Sequence, residues 1–282
     1  MLIAQITDTH VSTPESVNDR WFDTPEHLAR TVDHLNRLTP RPDVTLVTGD
    51  LVERGEPAEY ARLHTILDRL AMPAYVVPGN HDGREALRAA FAHRGYLPAG
   101  GFLHYTIEEW PVRLIGLDTH VPGSPGGELC GERLDWLDAR LGEAPERPTL
   151  LFMHHPPFVT GLEAMDAMGL AGAAGLADVV RRHPQVERIA CGHVHRAMTR
   201  RFAGTVATTS PATAHQLALA LTPARHLAVV MEPPACSLHL WMGPGSGLVT
   251  HLSLIEERPA FTLYDGERWL RDATPPPAFR TP

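Results

Sequence analysis

The stretch Leu2-Ile3-Ala4-Gln5-Ile6-Thr7-Asp8-Thr9-His10 decides the fold. It is a strand-length, largely apolar run that passes directly into Asp8 and His10, two residue types that coordinate cations. The same arrangement returns along the chain. Residues 44–48 lead into Gly49-Asp50, 74–77 into Gly79-Asn80-His81-Asp82, 149–153 into His154-His155, and 186–190 into Gly192-His193-Val194-His195. Such short, often β-branched runs suit strands of a sheet covered on both faces. In an α/β sheet the C-terminal strand ends meet along one edge, where ligands bind. Asp8, His10, Asp50, Asn80, His154, His193 and His195 are thereby delivered to one place, and the glycines let the backbone turn sharply there.

Working outward, residues 112–117 form another strand-like run, and periodic segments at 25–38, 57–70, 84–92, 131–141 and 173–182 separate the runs as helices. In the second of these, Tyr60, Leu63, Leu67 and Leu70 share a helical face, and Pro57 stands where a first-turn proline is tolerated. Strand–helix alternation predicts an α/β domain. Beyond about residue 200 the runs 203–209, 227–231, 237–241 and 248–254 have no long helix between them, which predicts a second sheet packed on the first. A Gly-, Ala- and Met-rich stretch at 158–175 reads as a cap loop over the site. The main folded unit is expected to span 1–255, followed by an extension at 256–282 whose Pro-rich tail, 271–282, is expected to be loosely ordered.

Composition narrows the function classes. Of 282 residues, 43% are hydrophobic and 21% charged, ordinary for a globular protein with a sizeable core. The formal charge of −8, from 25 basic and 33 acidic residues, comes without a basic stripe, so a large nucleic acid is a poor partner. No apolar stretch approaches membrane-spanning length, and the first residues read as a strand rather than a leader, so no membrane and a cytoplasmic location are expected. Three scattered cysteines, Cys130, Cys191 and Cys236, argue against a disulfide framework or a thiolate zinc site.

Each motif alone has a bland explanation. Asp-x-His after a strand is usually a turn and an N-cap, Asn and Asp suit left-handed turns, and His-x-His commonly marks a solvated edge. Five such motifs in order, each after a predicted strand, point instead to metal. Seven donors exceed the three or four of one zinc site, and a carboxylate such as Asp50 can bridge two cations about 3.5–4 Å apart. Imidazole, carboxylate and amide donors suit Mn, Fe, Co or Zn, so two divalent or trivalent ions are the expected cofactors.

These residues resemble the calcineurin-like metallophosphoesterase superfamily, in particular its class III cyclic-nucleotide phosphodiesterases and bacterial glycerophosphodiesterases. The resemblance rests on the motifs around Asp8, Asp50, Asn80, His154 and His193 together with Leu117-Asp118-Thr119. It implies a four-layer α/β/β/α sandwich with a small cap and a C-terminal strand extension. It implies that Asp8, His10 and His195 hold one metal, that Asn80, His154 and His193 hold the other, and that Asp50 bridges. His81 would be the catalytic histidine at the phosphate or leaving group. His215 would stand behind the metal-binding residues on the substrate side, and Asp166 would sit in the cap near substrate. His155 reads as a structural neighbour, and His34, His64 and His183 as ordinary helical residues. Relatives form dimers or larger assemblies, so a homo-oligomer is also implied. Trp241 and Met242 are candidates for an interface, although core packing explains them equally well.

Protein phosphatases of the superfamily carry Asp-Arg-Gly and Gly-Asn-His-Glu where this chain has Glu53-Arg54-Gly55 and Gly79-Asn80-His81-Asp82, which argues against that role. The expected activity is hydrolysis of small phosphodiesters, glycerophosphodiesters or 3′,5′-cyclic nucleotides, through water activated at the metal pair. The alternatives are a phosphomonoesterase or nuclease of the same superfamily, and an inactive scaffold. An inactive scaffold should have lost donors, and here all seven are present.

Overall fold

The computed structural model describes residues 1–222, 226–256, 260–267 and 269. Strands β1 (Leu2–Ile6), β2 (Val44–Val47) and β3 (Ala74–Val76) alternate with helices α1 (Val17–Phe22), α2 (Thr24–Arg37), α3 (Pro57–Leu67) and α4 (Arg84–Phe91). The chain continues through β4 (Tyr105–Ile107), β5 (Arg113–Gly116), β6 (Gly127–Glu128), α5 (Gly131–Gly142), β7 (Thr149–Phe152), α6 (Glu163–Asp166), β8 (Leu170–Ala171), α7 (Ala173–Arg182) and β9 (Val186–Cys191). Strands β10 (Met198–Phe202), β11 (Thr205–Thr209), β12 (Gln216–Leu217), β13 (Val229–Val230), β14 (Ala235–Trp241) and β15 (Leu248–Leu254) follow.

Two sheets result, in the orders β15-β14-β1-β2-β3 and β10-β11-β9-β7-β5-β4. The period-2 alternation of strand side chains divides each between two layers. Ile3, Leu46 and Tyr75 face Leu114, Leu150 and Phe152 of the other sheet. Ala4, Ile6 and Val76 face outward onto Leu28, Leu63 and Leu87 of the helices. Ile115, Leu151 and Ile189 of the second sheet likewise pack on Leu137, Leu176 and Val180 of α5 and α7. This is the four-layer α/β/β/α sandwich.

One expectation needs correction. The strands beyond residue 200 do not make a sheet of their own but extend both existing ones. β10 and β11 join the second sheet, with β11 parallel to β9, whereas β14 pairs antiparallel with β1 in the first. Strand β10 escapes the sequence pattern because Arg200 and Arg201 make it polar and exposed. The run at 227–231 yields only β13, paired with β12. Trp241 packs partly against the inter-sheet core, whereas Met242 is 54% exposed. The cap region contains α6 and β8, and β8 pairs with β6. The expected tail, 271–282, and much of the extension before it lie outside the described residues.

A buried polar chain ties the sheets together beneath the site. His239 Nε2 donates to Gln5 Oε1 (3.1 Å), and Gln5 Nε2 donates to Thr48 Oγ1 (2.9 Å) and to the Cys191 carbonyl (2.8 Å). Thr48 and Cys191 end the strands that lead to Asp50 and His193, so the hydrogen bonds of one amide set the spacing between two motifs on different sheets.

Candidate metal centre

The motifs bend sharply where they leave their strands. Asp8, His10, Asp50, His193 and His195 all have positive φ, between 42° and 71°. Non-glycine residues adopt this left-handed conformation at a cost of about 1 kcal/mol or more each, and such strain concentrates at functional sites. Close packing reinforces it. A Cβ on Gly49, itself at φ 91°, would overlap the His154 ring, and one on Gly192 would overlap Thr7 Oγ1 and Asp8 Oδ2. The third motif is moored by Asp82, whose carboxylate accepts from the Gly79 amide (2.9 Å), the Leu51 amide (3.2 Å) and the Tyr60 hydroxyl (2.8 Å). From the other side, His120 Nδ1 donates to the Gly79 carbonyl (3.1 Å).

All seven predicted donors come together, in two groups. In the first, His10 Nδ1 is 2.9 Å from Glu53 Oε2, and His195 Nδ1 is 3.0 Å from the His215 carbonyl. Carboxylate and carbonyl oxygens only accept, so each Nδ1 carries hydrogen, and in the neutral rings each Nε2 presents a lone pair. Those two Nε2 atoms face each other at 3.2 Å, with Asp8 Oδ1 3.4 Å from His195 Nε2. Facing lone pairs beside a buried carboxylate require a positive charge between them.

The second group repeats this chemistry. His154 Nδ1 donates to the Thr48 carbonyl (2.8 Å), which leaves Nε2 to face Asn80 Oδ1 (3.1 Å) and Asp50 Oδ2 (3.3 Å). His193 Nε2 donates to the Met168 carbonyl of the cap (3.0 Å), freeing Nδ1, while the His193 amide pins both Asp8 oxygens (3.1 and 3.0 Å). Asp50 lies between the groups. Its Oδ2 is also 3.7 Å from His10 Nε2, and its Oδ1 accepts the His81 amide (2.9 Å). The donor set therefore fits two cations, with Asp50 placed to touch both.

The electrostatics agree with that fit. Burial opposes charge on His10, yet the Glu53 hydrogen bond and the Asp50, Glu53 and Asp8 carboxylates lift its pKa to about 9. His154, equally buried, also reaches about 9 through Asp50 and Asp8 and its hydrogen bonds to Asp50 and Thr48. Burial would raise Asp50, but the charge and hydrogen bond of His154, with the charges of His10 and His81, hold it well below the usual carboxylate range. Without metal, protons on His10 and His154 occupy the positive positions. Burial and neighbouring imidazoles keep His193 neutral, with a pKa lowered to about 3.

Around the donors, His81 is partly exposed, with Nδ1 donating to the Glu53 carbonyl (2.9 Å). His215 lies 4.9 Å from His195 and 5.6 Å from His10 between ring centroids, stacked on Phe22 at 4.5 Å, with a buried Nδ1 that has no partner. His155 is close to His154 and His193, but its nitrogens are engaged by Thr119 Oγ1 (2.8 Å) and the Pro125 carbonyl (3.1 Å), as suits a structural neighbour. Asp166 is not brought to the centre. Its carboxylate accepts from the Thr160 amide (2.7 Å), the Thr160 hydroxyl (2.7 Å) and the Gly161 amide (3.0 Å), which shapes the cap from within.

Three residues near the centre are not marked as site residues by the sequence motifs. Glu53 joins His10 to Asn18, whose Nδ2 donates to Glu53 Oε2 (2.6 Å), and Phe22 covers His215. Asn18 and Phe22 belong to α1, whose six residues are too few for periodicity to reveal. The detectable signal was local: Ser16 followed by Asp19, an N-cap whose Oγ accepts the Asp19 amide at 3.0 Å.

Comparison with known proteins identifies the family. The calcineurin-like phosphoesterase family matches residues 1–197, and the chain belongs to that family. It is 38% identical over 256 residues to a probable glycerophosphodiester phosphodiesterase GpdQ of Arcobacter nitrofigilis, covering 90% of this chain and 93% of that one. It is 32% identical over 214 residues to the 3′,5′-cyclic adenosine monophosphate phosphodiesterase CpdA of Escherichia coli K12, covering 76% of each. Among solved structures, a dimetal phosphatase from Danio rerio shares the fold, with a TM-score of 0.59 at 16% identity, covering 91% of this chain and 99% of that one.

Proposed function

We propose that this protein is a dinuclear-metal phosphodiesterase that hydrolyses small diesters, either glycerophosphodiesters or 3′,5′-cyclic nucleotides. The observation that carries the reading is the position of Asp50 Oδ2, 3.3 Å from His154 Nε2 and 3.7 Å from His10 Nε2, between two sets of inward-facing donors. In this reading Asp8, His10 and His195 hold one ion, Asn80, His154 and His193 hold the other, and Asp50 bridges. The ions are Mn, Fe, Co or Zn, as the mixed imidazole, carboxylate and amide donors favour. When bound, two such cations activate water and neutralise phosphate charge.

The chain's own residues do the rest. Glu53 and the Thr48, Met168 and His215 carbonyls fix the tautomer of each donor imidazole. With Nδ1 donating to the Glu53 carbonyl, Nε2 of the partly exposed His81 is left for substrate, and in the imidazolium form it can hydrogen-bond or protonate a departing alkoxide. His215 lines the substrate side, and Asp166 acts on substrate only through the cap it shapes. We treat residues 1–255 as the catalytic unit and place the enzyme in the cytoplasm, which accords with its three unpaired cysteines. Among the described residues no helix is long and apolar enough to cross a membrane. The reading also includes a homo-oligomer.

The test is reconstitution. Chelator-treated protein should recover hydrolysis of bis(p-nitrophenyl) phosphate on addition of Mn, Fe, Co or Zn salts. A panel of cyclic AMP, glycerophosphoethanolamine and simple monoesters then ranks the substrates. No recovery with any metal overturns the reading, and a clear preference for monoesters replaces it with a phosphomonoesterase.

A further inference from the structure

Helix α1 has no buried residue and only six residues in all, too few to be stable alone. It is held at the metal centre by side chains. Asn18 reaches Glu53 and Phe22 stacks on His215, a pair at i and i+4 that defines the face turned toward the site. Asp19, on one flank of that face, is paired with Arg62 at 2.6 Å. The opposite flank carries Val17 and Trp21, one position before each site-facing residue and themselves at i and i+4. Both are open to solvent, Val17 at 46% and Trp21 at 73% exposure. The Trp21 ring stands nearly perpendicular to Phe22, at 88°, with centroids 6.4 Å apart.

Single exposed apolar residues need no explanation. Here an indole and a valine lie side by side on the outer edge of a helix whose adjacent face touches Glu53 and His215. We propose that Val17 and Trp21 form an apolar shelf at the rim of the metal centre that stacks on the nucleobase of a diester substrate, favouring 3′,5′-cyclic nucleotides over glycerophosphodiesters. The proposal rests on the phosphodiesterase reading and names the substrate class of that site. An indole suits the role because every base offers a flat π face and stacking tolerates differences in base identity. A glyceryl group has no such face and gains nothing comparable from the shelf.

The test uses full-length, Mn-loaded protein as wild type, Trp21→Ala and Trp21→Phe. In Trp21→Ala the ratio of kcat/KM for cyclic AMP to kcat/KM for glycerophosphoethanolamine should fall about tenfold, the loss appearing in KM, because base–aromatic stacking is of that size. Trp21→Phe should recover most of it. Adenosine 5′-monophosphate should also quench tryptophan emission in wild type, and that quenching should be lost in Trp21→Phe although four of the five tryptophans remain. An unchanged ratio overturns the shelf, and so does an equal loss on both diesters. A selective loss on glycerophosphocholine overturns it in favour of a cationic headgroup. Dissociation of an oligomer in Trp21→Ala overturns it in favour of a contact with a second copy. A wild-type enzyme that cleaves no diester fails the phosphodiesterase reading instead, and the quenching experiment still decides the shelf.

Discussion

His10 Nε2 faces His195 Nε2 across 3.2 Å, on opposite sides of the molecule's two-sheet seam. Each ring already donates through Nδ1, so a cation must lie between them, and in the metal-free protein that cation is a proton. With the pKa values of His10 and His154 raised to about 9, both rings are protonated at neutral pH until metal displaces the protons. Metal uptake should therefore release protons, and apparent affinity should fall by about tenfold per pH unit for each proton displaced below pH 9. Calorimetric titration in two buffers of different ionisation enthalpy counts the protons. Uptake without proton release would show that the rings are neutral before loading.

Asp50 is expected to matter more than any single donor on one side. Asp50→Ala removes the carboxylate whose Oδ2 lies near donor imidazoles of both groups, so it should lower bound metal and remove most activity. Elemental analysis alongside turnover checks this. Full occupancy of both ions with normal turnover would rule out bridging.

His81 should separate chemistry from metal binding. Its ring meets His10 edge-on at 4.7 Å, and its Nδ1 is engaged in donating to the Glu53 carbonyl. His81→Ala should reduce kcat by roughly 10²–10⁴-fold, as for loss of a general acid, with metal content retained. A large loss of metal would make His81 a ligand.

Glu53 is the residue on which the two roles meet, through its carboxylate to His10 and its carbonyl to His81. Removing such a carboxylate partner of a ligating histidine typically lowers metal affinity by about 10–100-fold. Glu53→Ala should do so for the His10 side, measured by competition with a chromophoric chelator, and Glu53→Gln should lose less because its amide oxygen still accepts from Nδ1. Equal affinity in all three proteins would show that the His10 tautomer is set elsewhere.

The uneven legibility of this centre has a physical basis. Asp8, Asp50, Asn80, His154 and His193 stand within four residues of a strand end, so local pattern plus the rule of converging strand ends locates them. Glu53 and Asn18 act across 43 and 35 residues of sequence, and no period or spacing encodes those contacts. The same holds for the fold. The parallel β1-β2-β3 core follows from alternation, whereas the return of β14 to pair with β1 depends on a register, Gln5 opposite Ser237, that only the folded chain displays. Asp166 is placed near substrate by resemblance alone, and its carboxylate is engaged within the cap by Thr160 and Gly161.

His239 gives a prediction about stability rather than activity. Complete burial, with the charge of Arg188, lowers its pKa to about 3 against an ordinary value of 6.5. Folded protein therefore binds fewer protons than unfolded chain between those values, so the contribution is present above pH 6.5 and is lost as pH falls toward 3. One such proton corresponds to a slope of about 1.4 kcal/mol per pH unit. His10 and His154, shifted the opposite way, contribute fully below pH 6.5 and add no slope there. Urea unfolding of chelator-treated protein at pH 6.5, 5.5 and 4.5 should show a steep loss for wild type. It should be shallower by about that slope for His239→Gln, whose amide does not titrate and can still donate to Gln5. Parallel slopes would mean that His239 takes up its proton equally in the folded and unfolded states, and that the acid sensitivity resides in the other buried histidines, such as His104 and His215, lowered to about 4 and about 2.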